Sequence, residues 1–186
     1  VLRAAAMGAR TDAGSSSAMP AAAVLMMATT CGAQAQGRSG QCGMLEVGMD
    51  ADIILATDPD ADRLGVYAKD TKTGEYVAFT GNMSGMLIAE YILREKTKAN
   101  IMPKNPALVT TIVTTNMTKP ITEKYGVKLI EVLTGFKFIG EQIKLFEQSG
   151  SNNYVFGLEE SYGCLAGTHA RDKDAIVAVM CLCEVA

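Results

Sequence analysis

The chain has 186 residues, 48% of them hydrophobic and 20% charged, with a formal net charge of −3 at pH 7. That length supports one substantial core, or one domain and part of another. The mildly acidic balance, without a basic run or aromatic-basic interleaving, speaks against nucleic-acid binding, and no apolar stretch approaches the ~18–20 residues of a membrane span.

Residues 1–45 stand apart. They hold no aromatic residue, no lysine and one acid, Asp12, and are rich in Ala, Gly, Ser and Met. Such a segment buries little, and the expectation is a disordered or non-native stretch. The other reading is an export signal, with Arg3 and Arg10, the apolar Ala21–Ala28, and Ala33-Gln34-Ala35 as the cleavage site. Val1 in place of Met is expected to reflect a missing N-terminus. The five cysteines, Cys31, Cys42, Cys164, Cys181 and Cys183, are odd in number and include no Cys-x-x-Cys pair. They point to reduced thiols in a cytoplasmic protein rather than to disulfides or zinc.

From Glu46 onward the pattern is that of an α/β protein. Ile53–Thr57 reads as a buried strand. Leu64–Lys69 and Tyr76–Phe79 alternate like a hairpin. A helix over Gly85–Lys98, capped by Asn82 or Ser84, carries Met86, Leu87, Tyr91 and Leu93 near one face. Ala107–Thr114 is a β-branched strand. Thr118–Tyr125 is a short helix with Pro120 in its first turn, and Val127–Leu133 a strand. Phe136–Gln148 is a helix with Phe138, Ile139, Ile143 and Phe146 inward, Tyr154–Leu158 a strand, and Asp174–Ala186 a helix. This alternation predicts a mixed, mostly parallel sheet with flanking helices, whose ligands gather at the carboxyl ends of strands.

Three segments carry unusual chemistry. In the first, Ile53–Ala56 runs into Asp58, Asp60 and Asp62, followed by Arg63. Alternate carboxylates repel one another unless a cation sits among them, and a hard divalent ion with oxygen ligands, Mg²⁺ above all, is the natural guest. Arg63 is a fixed charge suited to phosphate. An EF-hand is excluded, because its sixth position holds Arg63 instead of Gly and its twelfth Lys69 instead of Glu. A phosphatase loop with Asp58 as nucleophile and Asp60 as acid/base stays open. In the second segment, Leu133–Gly140, Gly135 permits a tight strand-to-helix turn at a helix N-terminus, with Lys137 just inside. The third, Gly157-Leu158-Glu159-Glu160-Ser161-Tyr162-Gly163, suits sugar hydroxyls, since a carboxylate accepts from two of them and a serine donates or accepts. Glu159 and Glu160 could also be glycosidase carboxylates. Asp172 or Asp174 could cap the last helix. His169, the one histidine, reads as a hydrogen-bonding residue more readily than as a general base.

Taken together, Thr57–Arg63, Thr134–Gly140, Gly157–Gly163 and Arg171-Asp172-Lys173-Asp174 resemble, in order and spacing, motifs of the α-D-phosphohexomutase superfamily, nearest its bacterial phosphoglucomutase and phosphopentomutase branch. The resemblance covers about residues 46–186. It implies residues 46–80 as the end of a second domain carrying the metal loop, and 81–186 as a third, sugar-binding domain. It implies Mg²⁺ on Asp58, Asp60 and Asp62, a phosphoserine oxygen completing the shell, and Arg63 touching that phosphate. Glu159 and Ser161 would hold sugar hydroxyls, with Lys173, Lys137, His169 and Arg171 near the substrate. The implied reaction interconverts hexose 1- and 6-phosphates, with glucose 1,6-bisphosphate as activator and intermediate; pentose phosphates are a variant of the same chemistry. The family's Thr-Ala-Ser-His-Asn-Pro nucleophile loop has no counterpart here, since Ser15–Ser17 lack the neighbouring His and Asn. The expectation is therefore a fragment, inactive alone, whose partners are the first and fourth domains of the same enzyme. A non-catalytic sugar- or metal-binding module is the remaining alternative.

Overall fold

The computed structural model describes residues 51–186. The disorder and export-signal readings of residues 1–45, with Cys31 and Cys42, lie outside the described residues. Residues 53–186 form one compact unit.

The unit opens with an antiparallel meander of β1 (Ile53–Thr57), β2 (Leu64–Lys69) and β3 (Tyr76–Phe79), in the order β1-β2-β3. β1 was expected to be buried; it is an edge strand instead. Ile53 and Leu55 pack against the core while Ile54 is 44% exposed, because only one face of the meander is covered. The inner strand β2 buries Leu64 and Val66. The acidic segment 58–63 is thus the turn of a β1-β2 hairpin.

α1 (Gly81–Lys98) starts four residues earlier than its pattern suggested. Its N-cap is Thr80, whose hydroxyl accepts from the Met83 N–H (3.3 Å). The two expected caps have other roles. The Ser84 hydroxyl donates to the Thr80 carbonyl (3.2 Å) within the helix, and the Asn82 side chain accepts from the Thr115 N–H (3.1 Å). The buried ridge runs through Gly81, Ser84, Gly85, Ile88, Ala89 and Ile92, at helical spacing, with Met86 and Leu93 beside it. Leu87, assigned to the same face, is exposed.

A second sheet has the order β5-β4-β6-β7. β4 (Pro106–Thr111) lies parallel to β5 (Lys128–Val132) and to β6 (Asn153–Leu158), and β7 (Cys164–Ala166) is antiparallel to β6. β4 ends at Thr111 rather than Thr114. There the Thr114 N–H donates back to the Thr111 carbonyl (3.0 Å) and the two hydroxyls share a hydrogen bond (2.9 Å), leaving Ile112 and Val113 exposed. β7 was not anticipated: three residues are too short to show a period.

α2 (Thr118–Tyr125) has Pro120 in its first turn and ends on left-handed Gly126. α3 (Phe136–Ser149) buries Phe136, Ile139, Ile143 and Phe146, with Phe138 half-buried. α4 (Ala175–Val185) is N-capped by Asp174, whose Oδ1 accepts from the Ile176 (2.9 Å) and Val177 (3.2 Å) N–H groups.

The sheet separates two apolar clusters. One gathers Leu64 and Val66 of the meander with Ile88 and Leu93 of α1, Leu108, Phe156 and Leu158 of the sheet, and Leu182 of α4. The other packs Val109 and Leu165 against Ile139, Ile143 and Phe146 of α3. A mixed, mostly parallel sheet between helical layers is the fold class the alternation predicted. Among the described residues no helix is long and apolar enough to cross a membrane.

Candidate active site

The β1-β2 turn folds around Asp58. Its Oδ1 accepts from the Asp62 (2.8 Å) and Arg63 (2.9 Å) N–H groups. These bonds, led by that of Arg63, hold the Asp58 carboxyl below its ordinary range. Between them Ala61 adopts a left-handed φ of 57°, which costs an alanine about 1–2 kcal/mol. The result is that one oxygen from each of Asp58, Asp60 and Asp62 lies within 4.8 Å of the others, Asp60 exposed and the other two half-buried. Three carboxylate oxygens converging at that spacing fit a hard divalent cation of the Mg²⁺ type, which accepts oxygen ligands and keeps open positions for water or phosphate.

Long-range contacts dock this turn onto two later loops. Arg63 forms an antiparallel bridge with Gly163, and the Leu64 N–H donates to the Tyr162 carbonyl (3.2 Å). The Ala175 N–H donates to the Ala61 carbonyl (3.0 Å). The Arg63 side chain is exposed. Lys173 completes the link, its Nζ 3.0 Å from Asp62 Oδ2 and 2.9 Å from Asp172 Oδ1. Burial alone would lower its pKa, but the two carboxylates outweigh burial and raise it.

Glu159 follows the end of β6 and is 6% exposed. Its Oε1 accepts from the Gly135 N–H (3.0 Å), at a residue whose φ of 123° lies where glycine is at ease. That bond joins the loop before α3 to the Glu159 loop. Burial raises the Glu159 carboxyl above its ordinary range, only partly offset by the positive charge of Lys173 and by the hydrogen bonds from Gly135 and Ser161. The neighbouring Glu160 has its own partner: its Oε2 accepts from the Thr111 hydroxyl (3.0 Å), which anchors the loop to the end of β4.

The structure therefore links the aspartate turn, through the Arg63–Gly163 bridge and Lys173, to the loop that carries Glu159 and Ser161. Three further predicted residues have side-chain partners of their own. His169 Nε2 lies 2.8 Å from Asp174 Oδ2. Burial alone would raise the Asp174 carboxyl; the His169 and backbone hydrogen bonds hold it below its ordinary value. Arg171 Nη2 donates to both carboxylate oxygens of Glu147 (2.7 and 2.6 Å). Lys137 lies over the Phe138 ring at 4.8 Å. Lys137 and Arg171 line a groove of about 490 Å³ with Phe138, Gly140, Glu141 and Lys144, to which no residue of the aspartate triad contributes.

Sequence reading did not find the roles of Asp172, Thr111 and the Gly135 amide. Thr111 and the Gly135 amide act on residues remote in the chain, whereas Asp172 acts on its neighbour Lys173, an adjacency that carried a local signal. The described cysteines Cys164, Cys181 and Cys183 are free, as expected; burial pushes the Cys164 thiol up to about 12, which makes it a packing residue rather than a nucleophile.

Comparison with known proteins adds an independent line. The phosphoglucomutase/phosphomannomutase alpha/beta/alpha domain III family matches residues 80–186. The phosphoglucomutase of Staphylococcus epidermidis is 40% identical over 131 residues, 70% of this chain and 23% of that protein. The chain thus spans about a quarter of the length of the curated relatives it matches. Among solved structures, the open form of pp63/parafusin, a phosphoglucomutase from Paramecium, aligns with a TM-score of 0.52 and 28% identity over 74% of this chain and 21% of its own. The N-acetylphosphoglucosamine mutase of Aspergillus fumigatus, solved with GlcNAc-6P and magnesium, shares the fold with a TM-score of 0.54 at 16% identity, over 84% of this chain and 34% of its own. A variant of that enzyme, solved with glucose 1,6-bisphosphate, gives a TM-score of 0.52 at 17% identity, over 84% of this chain and 33% of its own. A family match over more than half the chain, coinciding with the described sheet and its helices, makes this chain a member of the phosphoglucomutase/phosphomannomutase family.

Proposed function

We propose that the chain is the metal-holding and hydroxyl-gripping part of a phosphoglucomutase-type phosphotransferase, which interconverts hexose 1- and 6-phosphates. In this reading residues 46–80 end a second domain and 81–186 form a third. The substrate is a sugar phosphate, glucose 1,6-bisphosphate is the activator and intermediate, and the phosphoserine and the further phosphate-binding residues come from the first and fourth domains of the same enzyme. The observation that carries the reading is the docking of the acidic turn onto the Glu159 loop, through the Arg63–Gly163 bridge and through Lys173.

The roles follow from the chemistry of each group. Asp58, Asp60 and Asp62 would hold Mg²⁺, and the ion, when bound, supplies polarisation of phosphoryl oxygens and offsets developing negative charge. Arg63, exposed beside the triad, presents a planar fork of donors matched to phosphate. Glu159 accepts hydrogen bonds from sugar hydroxyls and Ser161 donates or accepts one. A grip on hydroxyls rather than on phosphate suits a substrate whose two phosphorylated ends must take turns at one place. Lys173 brings positive charge between the two loops. His169, held by Asp174, together with Lys137 and Arg171, would line the approach of the substrate.

The test is a chimera. Residues 53–186 replace the corresponding stretch of the S. epidermidis phosphoglucomutase, and conversion of glucose 1-phosphate to glucose 6-phosphate is followed. A folded chimera is expected to turn over in a Mg²⁺-dependent way, and Asp60→Asn within it to lose at least about a hundredfold in kcat. A folded chimera without activity, or one indifferent to Asp60→Asn, contradicts the proposal.

A further inference from the structure

Asp62 serves two partners. Its carboxylate belongs to the triad with Asp58 and Asp60, and its Oδ2 lies 3.0 Å from Lys173 Nζ. That ammonium is not a loose surface charge. The Lys173 side chain is 11% exposed. It is held by a second carboxylate, Asp172 Oδ1, at 2.9 Å, and the Phe136 ring lies 5.4 Å from it. Its stem crosses Gly163 so closely that a methyl group there would collide with Lys173 Cδ. The backbone is fixed as well. The Asp174 N–H donates to the Cys164 carbonyl (2.8 Å), and the Ala175 N–H to the Ala61 carbonyl inside the acidic turn (3.0 Å). The fold thus delivers this cation to a metal-binding carboxylate.

A positive charge in contact with a ligand oxygen weakens the negative potential that the triad offers a divalent ion. We propose that Lys173 is a positioning residue that orients Asp62 and sets the affinity of the triad for a divalent cation, keeping it below that of three unneutralised carboxylates, so that the ion is held firmly only when phosphate oxygens join them. The inference rests on the reading of Asp58, Asp60 and Asp62 as a magnesium site. An arriving phosphate restores the negative charge that Lys173 offsets and supplies oxygens to the open positions of the ion. Metal and phosphorylated ligand then bind together rather than separately.

The test titrates the 186-residue chain with Mn²⁺, following the free ion by electron paramagnetic resonance. The unsubstituted chain is compared with Lys173→Met, Lys173→Arg and Asp60→Asn. Methionine keeps most of the stem against Gly163 and Phe136 and removes the charge. Lys173→Met is expected to bind Mn²⁺ about tenfold more tightly, and Lys173→Arg to stay within about threefold of the unsubstituted chain. Damage to a fold loosens a metal site, so tightening is an outcome that a merely structural lysine does not produce. A folded Lys173→Met chain that binds Mn²⁺ equally or more weakly overturns the inference. If Lys173→Met does not fold, inorganic phosphate decides on the unsubstituted chain: its addition is expected to tighten Mn²⁺ binding about fivefold or more, and no tightening overturns the inference. Binding that Asp60→Asn abolishes but that is indifferent to position 173 removes this inference alone. Binding that Asp60→Asn leaves intact removes the magnesium reading beneath it.

Discussion

A carboxylate at 6% exposure, as at Glu159, needs nearby donors or positive charge to exist ionised. Glu159 has the Gly135 N–H and the field of Lys173, and burial still holds its pKa above the ordinary 4.5. The sign for stability follows. The native state keeps this proton more tightly than the unfolded chain does, so the contribution of Glu159 is most favourable at low pH and is lost as pH rises from about 4.5 through the raised native value. Glu159→Gln keeps an acceptor for Gly135 and removes the charge. Its melting temperature is expected to exceed that of the unsubstituted chain at pH 7, with the difference shrinking towards pH 4, as followed by circular dichroism; a difference constant with pH contradicts the account. The identity of Glu159 as a site candidate was legible from its Gly-flanked loop. Its burial was not, because that depends on Gly135 and Lys173, which reach it only in the folded chain.

At the scale of elements, α4 shows what one cap contributes. Asp174 Oδ1 accepts from two N–H groups of the first turn, and its Oδ2 faces His169. Asp174→Ala is expected to cost about 1 kcal/mol, the usual worth of an N-cap, or about 2–4 °C in melting temperature for a chain of this size; no measurable loss contradicts the cap assignment. The sequence offered this cap as one of two, Asp172 or Asp174, and the backbone N–H groups of Ile176 and Val177 decide for Asp174. The start of α1 was not. Thr80 caps it, but Asn82 and Ser84, with equal intrinsic claims, stand just downstream, and only the tertiary contacts of Asn82 with Thr115 and of Gly81 with the Glu160–Tyr162 backbone decide among them. Likewise the β-branched run past Thr111 continues to favour a strand, yet the Thr111–Thr114 turn ends it.

For the molecule as a whole, the order and type of strands and helices from Ile53 onward, apart from the three-residue β7, were readable from periodicity, and so was the fold class they assemble. The assembly of the site was not, because its joints are long-range: Arg63 to Gly163, Asp62 to Lys173, Gly135 to Glu159. Motif chemistry named the pieces, and sheet topology with the two apolar clusters on either side of the sheet brings them together. The account stands on one claim, that the aspartate turn and the Glu159 loop act on one ligand. The direct measurement is a nuclear magnetic resonance titration of the 186-residue chain with glucose 1,6-bisphosphate in the presence of Mg²⁺, reading the backbone amides of Asp62 and Arg63 together with those of Gly135 and Ser161. The account predicts that both groups of signals move with one dissociation constant and that Asp60→Asn weakens the response of both. Movement of only one group, or two unrelated constants, would contradict it.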